Sequence, residues 1–151
     1  MSRLTYRHTI AASYLGYITQ AIVNNLAPLL FVTFMSEFSL TLEQITMMTT
    51  VNFAVQLLVD LLSAKLVDRI GYRASTVLAH AMCATGLIFM TILPEILPSA
   101  FAGLLVSVFC YAVGAGLLDI TINPIVNSCP STNSNQLLCL LHSFYCWGSV
   151  A

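Results

Sequence analysis

Four apolar stretches fill the chain from Ile10 to Asn127, and only short polar segments separate them. A bilayer core is crossed by about 20 apolar residues in helix. In hydrocarbon a spanning segment must satisfy its own backbone, which a helix does within itself. The stretches therefore predict spanning helices at 10–34, 42–67, 74–93 and 99–127, with a fifth apolar helix from 136 to 151. Composition points the same way: 58% of residues are hydrophobic and 7% charged, where a soluble domain carries roughly 25% charged. So few charges could not cover a soluble surface of this size. An all-α membrane protein is expected, with the lipid bilayer as its first partner. A net charge of -1 and the lack of a basic tract argue against nucleic acid.

Local signals mark the helix ends. Thr41 and Gln44 have the spacing of a capping box for the second span. Pro94 is expected to stop the third, and Pro98 precedes the fourth, which kinks at Asn123-Pro124. Ser128 to Asn135 reads as a polar connector. Arg3 and Arg7 precede an apolar stretch too long and too rich in amides for a signal peptide, so an uncleaved first span is expected. The fifth helix reaches Ala151 without a stop signal, which reads as the front of a longer protein whose remaining spans follow.

The Lys and Arg residues sort to one side. Arg3, Arg7, Lys65, Arg69 and Arg73 fall in the N-terminal tail and between spans two and three, whereas the opposite turns hold only Glu37, Glu43 and Glu95. The positive-inside bias then predicts a cell-membrane protein with a cytoplasmic N-terminus.

Polar residues inside the spans repeat at helical intervals, and polar groups in hydrocarbon normally face other helices or a watery cavity. Asn52, Gln56 and Asp60 lie four apart; Asp119 and Asn123 do the same, with Asn127 continuing. Tyr17, Gln20 and Asn24 follow a three-then-four step, with Asn25 beside them. His142, Cys146 and Trp147 open the fifth helix. Any one amide reads simply as helix-to-helix glue, but several aligned stripes predict a polar cleft. Asp60, Asp119 and His142 share a depth of about 10–12 Å from the polar ends at ~1.5 Å per residue. The third span carries little beyond His80 and is expected at the lipid-facing periphery. Pro28 and Pro124 each follow an Asn late in spans one and four, the equivalent spans of an inverted three-plus-three repeat, and such paired interruptions mark a transporter's binding site.

Other chemistry finds no support. His8, His80 and His142 lack metal-ligand spacing, the five cysteines form no C-x-x-C pair, and no Ser/His/Asp set or phosphate loop is recognisable. No enzyme, metal or bound cofactor is expected. A non-transporting helical receptor or scaffold is the alternative of another class.

Ala64-x-x-x-Asp68-Arg69-x-Gly71-x-Arg73, between spans two and three, resembles the cytoplasmic loop motif of the major facilitator superfamily. Ala64 and Tyr72 stand where that motif has a Gly and a basic residue. Gly114-Ala-Gly-Leu-Leu-Asp119-Ile-Thr-Ile-Asn-Pro124 is similar to the fourth span of fucose-permease-like sugar transporters, and Leu141-His142-Ser-Phe-Tyr-Cys-Trp-Gly148 to the opening of their fifth. Asn24-Asn25-Leu26 resembles their first span, with Ala27 and Pro28 where they carry an acidic residue.

The resemblance implies the first part of a twelve-helix protein that moves a small polar solute, a sugar or related metabolite, by alternating access. A proton or other ion gradient would drive it. Spans one and four would line the cavity, the C-terminal half of the same protein would complete it, and Asp119 would take the proton or touch the substrate. Asp68, Arg69, Gly71 and Arg73 would latch the cytoplasmic gate. A drug or metabolite exporter of the same superfamily is the alternative transporter.

Overall fold

The computed structural model describes residues 6–129 and 134–150. Among the described residues there are five helices: α1 Tyr6–Glu37, α2 Leu42–Ile70, α3 Tyr72–Ile96, α4 Ala100–Asn127 and α5 Ser134–Val150. Arg3 and the middle of the connector expected at Ser128–Asn135 lie outside the described residues. Four of the helices, α1 to α4, are long and apolar enough to cross a membrane.

The helix ends follow their capping chemistry. Thr41 Oγ1 accepts from Gln44 N while Gln44 Oε1 accepts from Thr41 N, so the capping box forms and fixes the start of α2. The expected loop between spans two and three is absent as a loop. Helix continues to Ile70 and resumes at Tyr72, leaving Gly71 alone at the corner. Its φ of 87° is a conformation that a side chain would strain, and its N–H closes α2 on the Val67 carbonyl at 2.8 Å. Asp68, Arg69 and Arg73 thus sit on helix ends, exposed to the surroundings. Pro94 does not stop α3 as expected: the helix runs on to Ile96, where Leu97 turns extended.

α4 is the centre of the bundle and packs against α1, α2, α3 and α5. Small residues allow this. A Cβ on Gly86 would lie 2.5 Å from Tyr111 N, one on Gly103 2.7 Å from the Leu93 carbonyl carbon, and one on Gly114 2.7 Å from Ala79 O. Each would push α3 and α4 apart, so backbone contact between them depends on these glycines. α3 is peripheral in the sense that Val77, Leu78, Ile88 and Ile92 are exposed along its outer side. Its inner side is nonetheless the most extensively packed partner of α4.

Two apolar cores form. One gathers Val23, Phe31, Met48, Met90, Leu104 and Tyr111; the other Tyr17, Cys83, Leu117, Ile122, Val126 and Leu141. α2 and α5 show the opposite character, with Phe53, Leu57, Leu61 and Trp147 exposed.

Candidate functional site

A cleft of about 380 Å³ lies among α1, α2, α4 and α5. α1 contributes Tyr17, Asn24, Asn25, Pro28 and Phe31, and α2 contributes Thr49, Asn52, Phe53 and Gln56. Tyr111 and Asp119 come from α4, His142 and Tyr145 from α5. α3 supplies no lining residue. The stripes read from helical spacing therefore turn toward one another, because helix geometry puts residues four apart on one face and α4 draws those faces together.

The polar side chains form a connected chain across three helices. Tyr145 Oη accepts from Asn24 Nδ2 at 3.2 Å, and Asn24 Oδ1 accepts from Gln56 Nε2 at 3.4 Å. The same Gln56 amide reaches Asn52 Oδ1 at 2.9 Å. Asn25 bonds back to the Ala21 carbonyl at 2.8 Å and presents the rest of its amide to the cleft. On the α4 side, Tyr17 Oη donates to Asp119 Oδ1 at 3.4 Å. The Tyr17 ring meets His142 and Tyr145 edge-on, with centroids 5.7 and 5.8 Å away. Asp119 thus lines the cleft among hydroxyl, amide and imidazole groups, with no Lys or Arg among the lining residues.

Not every expected residue lines this space. Gln20 is buried, with Nε2 3.3 Å from the Ala115 carbonyl, and Asn123 holds the Asp119 carbonyl at 3.1 Å. Both stand around Asp119 rather than on the cleft wall. Asp60, one turn beyond Gln56, is exposed and outside the lining. Trp147 is 76% exposed and points away, since two residues beyond Tyr145 a helix has turned by more than half. Asp68, Arg69, Gly71 and Arg73 lie at the α2–α3 corner, apart from the cleft wall.

Sequence reasoning passed over Thr49, Tyr111 and Tyr145. Thr49 and Tyr145 each lie three residues from an expected lining residue, Asn52 and His142, so their spacing held the signal. Tyr111 carried none, because it reads as one more core aromatic of an apolar helix. Among the described residues, no three His, Cys, Asp or Glu side chains gather to hold a metal ion.

A bundle with four membrane-length apolar helices and a polar interior cleft is the architecture of a multi-pass membrane protein. Comparison with protein-family models, curated proteins and solved structures finds no match for this chain.

Proposed function

We propose that this protein is a secondary transporter of the major facilitator type, moving a small polar solute such as a sugar by proton-coupled alternating access. The observation that carries this reading is the cleft itself. Helices apolar enough to span a membrane turn Asn24, Asn25, Asn52, Gln56 and Asp119 inward to one space, which His142 of α5 also lines. Amides can both donate to and accept from hydroxyl groups, while Tyr17, Tyr111, Tyr145 and Phe53 offer aromatic faces to an apolar ring surface. An exporter of apolar compounds would favour a less polar wall.

The packing also supports a repeat. α1 packs extensively on α5, and α4 on α2. These two pairs exchange under a three-plus-three inverted repeat, in which spans one and four are equivalent. The C-terminal half of the protein would face the exposed sides of α2 and α5 and close the cleft from across the pseudo-symmetric interface. Asp119 takes up the driving proton beside the solute. The N-terminus and the Asp68–Arg73 corner face the cytoplasm, and the corner latches the inner gate.

Uptake by the protein in sealed vesicles, across a panel of sugars with and without an inward pH gradient, tests this reading. Accumulation of one solute above its outside concentration, only with the gradient, is expected. Transport of none of them under any gradient would contradict it.

A further inference from the structure

The linked amides on the α2 side of the cleft leave two unlike groups for a solute. Gln56 Nε2 is engaged twice, donating to Asn24 Oδ1 and to Asn52 Oδ1, and Asn24 Nδ2 in turn donates to Tyr145 Oη. Both amide atoms of Asn24 are therefore in use. Gln56 Oε1 and Asn52 Nδ2 have no hydrogen bond among the described residues. Neither is one of the buried unpartnered side-chain atoms, which are Gln20 Oε1, Tyr111 Oη and Asn123 Oδ1. Since both residues line the cleft, the two free atoms are open to it.

They also lie together. Asn52 and Gln56 are one turn apart on one face of α2, and each free atom shares a carbon with an atom of the 2.9 Å bond between the two side chains. One free atom is an acceptor and the other a donor. That pairing survives reversal. Turning all three amides end for end keeps every bond of the chain, with Tyr145 then donating, and exchanges the two roles. Turning one alone would set oxygen against oxygen or nitrogen against nitrogen. Either way, α2 meets the solute with one donor and one acceptor.

A charged group cannot satisfy both. A carboxylate only accepts and an ammonium only donates, so either would leave one amide atom desolvated and unmet. A hydroxyl does both. Two hydroxyls on neighbouring carbons set a donor and an acceptor a few ångströms apart, on the scale of the bond that joins Asn52 to Gln56.

We propose that Asn52 and Gln56 are the specificity-determining pair of the cleft and read an uncharged vicinal diol, such as a sugar or other polyol carries. One hydroxyl meets Gln56 and its neighbour meets Asn52. The inference rests on the transport reading in placing a solute in the cleft, and deepens it by naming the group that α2 recognises.

Equilibrium binding of tritiated D-glucose, D-galactose, D-mannose, L-fucose and myo-inositol to the purified protein in detergent, without a gradient, tests it. At least one should bind saturably. Among its analogues with a single hydroxyl replaced by hydrogen, two at neighbouring carbons should each bind roughly 10–100-fold more weakly. Gln56→Leu should erase the discrimination at one of those carbons and Asn52→Leu at the other. No saturable binding of any of the five, or discrimination unchanged in both variants, would overturn the pair. Should the variants misfold, the wild type decides alone: losses confined to carbons that are not neighbours overturn it. Diol-dependent binding without gradient-driven accumulation would refute coupled transport alone. Gradient-driven accumulation of a solute with no such dependence would refute this pair alone.

Discussion

Gln56 of α2 reaches Asn24 of α1, Nε2 to Oδ1 at 3.4 Å, while holding Asn52 on its own helix at 2.9 Å. α1 and α2 touch little elsewhere, so this amide is the main tie across that side of the cleft. Gln56→Leu should leave Asn24 without a donor from α2 and open the wall. A stability loss of about 0.6–2 kcal/mol is expected, the usual worth of one interhelical bond in lipid. The larger effect should fall on solute affinity, read as a raised KM for uptake in vesicles. A KM unchanged from wild type would show that the tie is structural only.

The α3–α4 contact makes a separate prediction. Gly86→Ala places a Cβ 2.5 Å from backbone N of Tyr111, which cannot swing aside. The helices must separate, at the ~1–3 kcal/mol typical of overpacking. Gly16→Ala meets the tip of Ile122 at 3.1 Å, a flexible terminal methyl group, and should cost far less. Thermal unfolding of both variants in the same detergent gives the comparison; equal midpoints would contradict the close-packed interface.

Much of this architecture was legible in the sequence, for identifiable reasons. Long apolar runs predicted the helices because a bilayer leaves few alternatives. The Thr41–Gln44 box and Gly71 were readable because each solves a local backbone problem. Asn24, Asn52, Gln56, Asp119 and His142 were readable as cleft residues because polar groups at helical spacing normally face other helices or a cavity, whereas Asp60, on the same stripe as Gln56, is exposed outside the cleft. Trp147 misled, since nearness in sequence to His142 says nothing about direction around a helix. Pro94 misled too: a proline removes one helical hydrogen bond, and the packing of Gly103 against Leu93 and Pro94 holds that turn in helix. The split between Asp119, on the cleft wall, and Gln20 and Asn123, around it, depends on how α1 rotates against α4. No spacing within a single helix encodes that rotation.

α5 provides an internal contrast. Tyr145→Phe removes the acceptor for Asn24 and should lower solute affinity several-fold, in line with about 0.6–2 kcal/mol for one such bond. Trp147→Ala alters a side chain that points away from the cleft and should leave the KM unchanged. Parallel uptake measurements decide. A stronger effect at Trp147 than at Tyr145 would mean that the working cleft extends past α5.

Sidedness can be read by chemistry. In a background lacking the exposed Cys139 and Cys146, Arg73→Cys should react with a membrane-impermeant maleimide only from the cytoplasmic side, and Ser39→Cys only from outside. Reaction of both from one face would reject the proposed orientation. If the α2–α3 corner latches the inner gate, adding Asp68→Asn should raise labelling of a cleft cysteine such as Phe53→Cys from the cytoplasm. Unchanged labelling would free the corner of that role.

The account turns on Asp119, which lines the cleft with Tyr17 Oη 3.4 Å from its carboxylate. The most direct test compares wild type and Asp119→Asn for gradient-driven solute accumulation in vesicles, with the amount of protein in the membrane verified for each. The account predicts that the near-isosteric amide abolishes accumulation under an inward pH gradient while the protein remains folded and membrane-inserted. Accumulation by Asp119→Asn equal to that of the wild type would contradict it.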